Sequence, residues 1–250
     1  MAEAPKVNFI IAGAQKAGTT ALFDYLAEMG DVALPAEKEA HFFDDDSRDW
    51  ARPDYADYHA LFDDPAGARK KGRPCGEATP IYLYWPNCLE RIAAYNPDMR
   101  LIVLLRDPVE RAWSQWRMEH VRRHDALSFS RCIREGRMRL FDAEPWGFHR
   151  EFSYVERGFY AEQLERLFGL FPRDQVLVLR AEALRDDQPA TLAAVRRFLG
   201  LPKATSLPRP RTVFAGPAMG GDARLMPDDA EFLRGLYVRD QARLAELLAG

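Results

Sequence analysis

The stretch Phe9-Ile10-Ile11-Ala12-Gly13-Ala14-Gln15-Lys16-Ala17-Gly18-Thr19-Thr20-Ala21-Leu22 constrains the fold more than any other segment of the chain. Val7, Phe9, Ile10 and Ile11 make a short apolar run of the kind found in a parallel strand covered on both faces. Gly13 and Gly18 allow a sharp turn and a close approach of backbone to ligand. Thr19 and Thr20 then open a helical apolar pattern through Leu22, Tyr25 and Leu26. A strand, a tight turn and a helix start aim backbone N–H groups and the positive end of a helix dipole at one point, and an anion fits there. An ordinary strand-to-helix turn with a surface lysine is the alternative.

Gly13 and Gly18 have the spacing of the nucleotide loop G-x-x-x-x-G-K-[ST], but Thr19 stands where that loop has its lysine, and the lysine sits in mid-loop as Lys16. A nucleoside triphosphate needs positive charge over its outer phosphates and a hydroxyl for Mg²⁺. A lysine inside the loop suits a smaller anionic group at the loop's mouth.

At 250 residues one large domain, residues 1–250, is the expectation, and a chain that is 47% hydrophobic can fill its core. A net charge of −3 disfavours general nucleic-acid binding. No apolar stretch is long enough for a membrane span, and the N-terminus has no apolar leader, so a cytoplasmic location is the default. Cys75, Cys88 and Cys132 match no metal spacing and read as free thiols.

Leu101 to Leu105 is the strongest buried-strand signal. Arg106 follows it directly, and Asp107-Pro108 reads as an N-cap and first helical residue. The helix carries Val109, Ala112, Trp113 and Trp116 on one side, with Ser114 about two turns along. Ligand crevices of open α/β sheets lie at the carboxyl ends of strands, where Lys16 and Arg106 both stand. A planar guanidinium suits phosphate; a strand-end salt bridge is the alternative for Arg106.

Glu39 and His41 lie two residues apart beside Phe42 and Phe43. In an extended segment they point to the same side, and apolar surroundings move their pKa values toward neutrality, as a proton acceptor requires. A polar loop with a structural histidine is the alternative. The aromatics Phe42, Phe43, Trp50, Tyr82, Tyr84 and Trp85 form either a sugar-stacking wall or core. An arginine-rich run, Arg117 to Arg139, is a solvated face or an attractor of an anionic acceptor. Strands near 7–11, 32–34, 73–76, 101–105 and 176–179 alternate with helices, including 154–171, 192–199 and one from Pro227 onward. The pattern is α/β: a mostly parallel central sheet flanked by helices. Residues 205–221, rich in Pro and Gly, read as a loop over the site's edge.

These residues resemble a known family. Gln15-Lys16-Ala17-Gly18-Thr19-Thr20 resembles the 5′-phosphosulfate loop of sulfotransferases that use 3′-phosphoadenosine 5′-phosphosulfate (PAPS). Leu105-Arg106-Asp107-Pro108-Val109-Glu110-Arg111-Ala112-Trp113-Ser114 resembles their 3′-phosphate motif. Glu39-Ala40-His41-Phe42-Phe43, and Phe159-Tyr160 with the amphipathic stretch to Phe171-Pro172, are similar to the heparan sulfate branch. The resemblance runs from about residue 7 to residue 200.

The resemblance implies a three-layer fold like that of P-loop nucleotide hydrolases. It also implies PAPS as cofactor, with 3′,5′-bisphosphoadenosine (PAP) as product and no metal required. In this scheme Lys16 meets the phosphosulfate, and backbone N–H groups of Ala17, Gly18, Thr19 and Thr20 cradle the 5′-phosphate. Arg106 and Ser114 hold the 3′-phosphate, Glu39 takes the acceptor's proton, and His41 assists or orients it. The acceptor class is a small molecule or glycan, with sugar, glycolipid and secondary-metabolite hydroxyls all open. Ala78 stands where the branch often has a lysine. The family's Lys-Gly-Arg loop that closes on the cofactor is absent, and Gly220-Gly221-Asp222-Ala223-Arg224, with Arg224 as its cation, is the stretch that could serve in its place. The disulfide of secreted relatives is missing, in keeping with a cytoplasmic bacterial-type enzyme. A P-loop kinase-like phosphotransferase and a non-catalytic nucleotide-binding protein are the competing functions.

Overall fold

A computed structural model describes residues 7–64, 68, 72–143, 145, 147–211 and 224–249. These divide into two compact units. One holds the residues up to Leu105 with those from Leu167 to Arg211; the other holds Arg106 to Arg166 with those from Arg224 on.

The first unit contains a four-stranded, wholly parallel sheet of order β2-β1-β3-β4. Its strands are β1 (Phe9–Gly13), β2 (Gly76–Ala78), β3 (Arg100–Leu105) and β4 (Val176–Arg180). Every residue of β1 is buried, and so is β3 beyond Arg100, because both strands are central. β4 is only half-buried: the apolar run Val176 to Leu179 occupies a sheet edge, not the covered interior that its composition predicts. The strand predicted at 32–34 shrinks to one bridge, Ala33 to Cys75. Ala33 N donates to Pro74 O at 2.8 Å and Gly76 N to Ala33 O at 2.9 Å. The next ladder donor would be residue 35, a proline with no N–H.

Helix α1 (Thr19–Met29) packs on β1 and β2 and ends at Gly30, whose φ of 69° allows its N–H to reach Leu26 O. The short α2 (Ala56–Ala60) buries Tyr58. Helix α3 (Cys88–Tyr95) buries Cys88, Leu89, Ile92 and Tyr95, the face that helical spacing predicts. The Tyr95 hydroxyl and the Asn96 amide bond the two backbone groups of Val7 at 2.8 Å each, tying this helix's end to the entry of β1.

The second unit has its own apolar core: Val109, Ala112, Trp116, Phe129, Ile133, Tyr154, Leu233 and Tyr237. Its first helix, α4 (Pro108–Val121), starts as the sequence predicts, with the Asp107 carboxylate accepting from Val109 N at 3.0 Å and Glu110 N at 2.9 Å. Arg111 is fully buried and donates to Gln115 Oε1 at 2.7 Å and to the Tyr154 carbonyl. Helix α5 (Phe129–Arg134) follows, capped by Ser128.

The helix predicted over 154–171 is shorter: α6 spans Tyr160–Leu170, after a 3-10 turn at Glu156–Gly158. Two long-range features set its start. Asp240 accepts from the N–H groups of Tyr160 and Ala161 at 3.0 Å each. Tyr237 packs so tightly at Gly158 that a Cβ there would lie 2.5 Å from its hydroxyl oxygen. Both residues belong to α9 (Pro227–Ala249). In the first unit α7 (Ala181–Asp186) and α8 (Gln188–Phe198) pack on β4. Among the described residues no helix is long and apolar enough to cross a membrane.

Candidate active site

The loop after β1 has the geometry of a glycine-capped helix start. Gly18 takes φ 92°, which glycine adopts without a Cβ penalty, and it is the N-cap of α1. A cap of this kind brings no side chain to the first N–H groups, and no side-chain hydrogen bond caps this helix. Those groups therefore remain the turn's own donors for a ligand. Ala14 N donates to Leu104 O at 2.7 Å, which fastens the turn to the end of β3. Lys16, at φ 70°, is half-buried in mid-loop. Gly13 serves a different purpose from Gly18: a Cβ there would lie 2.6 Å from Leu83 Cδ2, so its hydrogen makes room for a neighbouring side chain.

In the second unit Arg106 precedes α4, and its Nη2 meets Glu110 Oε2 at 3.2 Å. The Asp107 carboxylate is taken by the helix cap. The strand-end salt bridge is thus present, with Glu110 as its partner. Such a partly exposed pair contributes about 0–1 kcal/mol, so a phosphate can compete with Glu110 for the guanidinium. Ser114 is half-buried in the second turn of α4.

The Glu39–His41 segment follows a different rule from the predicted one. Glu39 and His41 have φ of 70° and 48°, so the segment is not extended. The two side chains nevertheless meet, His41 Nε2 lying 3.4 Å from Glu39 Oε2. Glu39 N donates to Ala78 O at 3.0 Å, which holds the segment at the carboxyl end of β2. Asp44, buried to 1% exposure, accepts His41 Nδ1 at 2.9 Å, and Lys38 Nζ pairs with Glu39 Oε1. The order is therefore Lys38–Glu39–His41–Asp44, with cation and carboxylate alternating. The backbone beneath is pinned. The Tyr82 hydroxyl accepts from Phe42 N at 2.9 Å and Phe43 N at 3.3 Å, and Arg91 donates to Phe43 O at 2.7 Å.

This order overturns the expectation of near-neutral groups. Burial raises the Glu39 carboxyl, but the His41 hydrogen bond and the Lys38 charge outweigh it and bring it down to about 2. The hydrogen bond to Asp44, then that to Glu39, raises His41 to about 9. The shifted acid is a residue that sequence patterning missed: Glu77 in β2. Burial pushes it up to about 7 against the hydrogen bond from Thr79, whose hydroxyl donates to Oε2 at 2.7 Å. Asp44 and Lys38 were missed as well. The available signals were an acid three residues past His41 and a charge inside a buried strand.

Of the three shifts, the depressed Glu39 contributes stability that is lost only as the pH falls from 4.5 toward 2, while those of Glu77 and His41 predict a fall in stability with rising pH. Glu77 keeps its proton when folded, so stability drops as the unfolded chain ionises from pH 4.5 toward 7. His41 gains a partner on folding, so its contribution is fully present below 6.5 and is lost as the pH rises through about 9. Melting temperatures measured from pH 4 to 10 should show both falls. Glu77→Gln is expected to flatten the first and Asp44→Asn the second.

Phe42, Phe43, Tyr82, Tyr84 and Trp85 are buried, so core packing accounts for them, while Trp50 is half-buried with Arg91 stacked 4.4 Å above its ring. The arginine run is largely neutralised by its own neighbours: Arg131 pairs with Glu135, Arg134 with Asp229, Arg137 with Glu156 and Arg139 with Asp125. That removes most of its pull on an anionic acceptor. Cys75, Cys88 and Cys132 are buried thiols. Burial pushes the Cys75 and Cys132 thiols up to about 12, which leaves them unreactive.

Of the predicted loop 205–221, residues 205–211 are described: Pro208 O accepts from Gln188 Nε2 of α8 at 3.0 Å, and Arg211 lies against the later turns of α1. There Arg211 N donates to the Tyr25 hydroxyl at 3.1 Å and its guanidinium meets Glu28 at 2.6 Å. Arg224 is exposed, and Gly220 to Ala223 lie outside the described residues, as do 212–219.

The curated relatives include heparan sulfate glucosamine 3-O-sulfotransferase 3B1 of Mus musculus, 35% identical over 196 residues, and its Homo sapiens namesake, 32% identical over 192. Each alignment covers 77% of this chain and 45% of the relative, so the chain spans under half the length of these proteins. A solved sulfotransferase from Alicyclobacillus acidocaldarius superposes with a TM-score of 0.80 at 28% identity, covering 98% of this chain and 96% of that one. The parallel sheet and its flanking helices are therefore the P-loop-like fold of sulfotransferases. The sequence profile of the sulfotransferase domain matches residues 6–211, and with these relatives it places the chain in the sulfotransferase family.

Proposed function

We propose that the chain moves a sulfuryl group from PAPS to a hydroxyl or amine of a carbohydrate, glycolipid or secondary-metabolite acceptor. The observation that carries this reading is the anion turn at the end of β1, lysine in mid-loop and helix start without a side-chain cap, beside a carboxylate–imidazole pair at the end of β2. The glycan-modifying relatives support a carbohydrate as acceptor.

Bound PAPS supplies an activated sulfuryl group whose leaving group is the phosphate of PAP. The backbone N–H groups of Gly18, Thr19 and Thr20 hold the 5′-phosphate; that of Ala17 donates to Ala14 O at 3.1 Å and closes the turn instead. Lys16 offsets the charge that builds on it as the bond to sulfur breaks. Arg106 and Ser114 are the residues proposed for the 3′-phosphate, a group a triphosphate lacks, and Arg224 is a further cation proposed for the nucleotide. Glu39 receives the acceptor's proton, His41 orients Glu39, and Asp44 holds the His41 ring in place and keeps it protonated.

Thermal melting with PAP tests the donor assignment. At one hundred times its dissociation constant PAP is expected to stabilise the fold by about 2.7 kcal/mol, a rise of roughly 5–10 °C for a chain of this size. A shift with ATP and Mg²⁺ but none with PAP would establish the kinase-like reading instead. Release of PAP in the presence of PAPS and a panel of sugar and phenol acceptors then tests turnover.

A further inference from the structure

Glu39 cannot act as a base in the arrangement the structure shows. Its Oε1 pairs with Lys38 and its Oε2 faces His41. A carboxylate held between two cations has little affinity for a proton. One of the two must withdraw before Glu39 can accept one.

His41 is the fixed member. Its Nδ1 is bonded to buried Asp44, and the chain between them is pinned by the Tyr82 hydroxyl at Phe42 and Phe43. Lys38 is the mobile one, because its ammonium sits on a flexible four-carbon stem. Its side chain is only 14% exposed, low for a lysine, so it lies against the protein and not in bulk water. Its position also serves a second partner. Glu39 N is bonded to Ala78 O, and Ala78 pairs with Ile11 across the β1–β2 ladder. The anion turn begins two residues beyond Ile11, on the strand next to the one that anchors Lys38 and Glu39. Neighbouring strands lie about 4.8 Å apart.

We propose that Lys38 is a catalytic residue with two successive partners: it clamps the Glu39 carboxylate until the donor binds, then moves to the donor's sulfonate oxygens and leaves Glu39 able to take the acceptor's proton. This rests on the sulfotransferase reading above. The balance is complete without another reactant. The acceptor's lone pair forms the new bond to sulfur, and the bridging S–O bond breaks with its electron pair kept by the 5′-phosphate. The acceptor's proton goes to Glu39. Lys38 loses one anionic partner and gains another, so no charge is left unpaired at either stage. Donor binding thereby arms the base, and the acceptor is not deprotonated before a sulfuryl group is in place. Asp44, Glu77 and Tyr82 are the other titratable groups near these residues, and none is a cation; Lys16, in the turn on the neighbouring strand, serves the leaving phosphate in the reading above.

The test compares wild type, Lys38→Met and Lys38→Arg by calorimetric titration with PAPS and with PAP, which lacks the sulfonate, followed by turnover. Lys38→Met is expected to weaken PAPS binding roughly 10-fold or more, the worth of one charged hydrogen bond, while PAP affinity stays within about twofold. Its kcat should fall by about 10²-fold, and Lys38→Arg should recover part of both losses. Equal loss of PAPS and PAP in Lys38→Met, or loss of neither, overturns the proposal while leaving the family reading intact. A wild type that binds neither nucleotide overturns both.

Discussion

Lys16→Ala is expected to lower kcat/KM for sulfuryl transfer by about 10²–10³-fold, the usual effect of removing one preorganised charge from a transition state. The melting temperature should stay close to that of wild type, since Lys16 is half-buried in a loop and contributes nothing to the apolar core. The rate effect is large because the turn delivers its charge at a single place. The Ala14–Leu104 hydrogen bond and the start of α1 at Thr19 fix both ends of a short loop, so no other lysine of that loop can substitute. Lys16→Arg keeps the charge but brings a wider head into the same turn, and it should recover only part of the rate. Initial rates of PAP release, read beside the melting curve, decide the matter. A Lys16→Ala protein that retains full activity removes this residue from the chemistry.

Glu39→Gln should lower kcat by about 10²–10⁴-fold and leave the affinity for PAP unchanged. The substitution preserves shape and removes the proton-accepting charge. It also withdraws one of the two carboxylates beside His41. The histidine should then titrate below its wild-type value of about 9 yet above its ordinary 6.5, since the larger contribution comes from Asp44. Proton NMR of the histidine ring follows this directly. Loss of PAP binding in the same variant would show that Glu39 builds the site and does not work in it.

Some of the site was legible because it is written in consecutive residues. The strand–glycine–lysine–helix run around Lys16 and the strand–Arg106–Asp107–Pro108 run both have local causes: apolar covering, a φ that glycine favours, a cap and a proline at the first helical position. The α/β class followed from the same runs, since strands that alternate with helices pair in parallel. Where the reading went astray, the cause was remote in sequence. Helix α6 starts six residues late because Asp240 caps it and Tyr237 crowds Gly158. β4 lies at an edge because of the strand order, which no property of Val176 to Leu179 encodes.

The proton-accepting pair shows the same division at the level of chemistry. The sequence by itself placed Glu39 and His41 together, because they are two residues apart and share a loop. Only the tertiary structure decided their charge. Asp44 folds under His41 on a backbone held by Tyr82, forty residues away, and Lys38 closes on Glu39 at the end of a strand that begins at Gly76. A pKa depends on the charges and solvent around a group in space. Composition and spacing therefore marked these two residues as candidates, and the fold determined that the acid is low, the imidazole high and the buried neighbour Glu77 near neutrality.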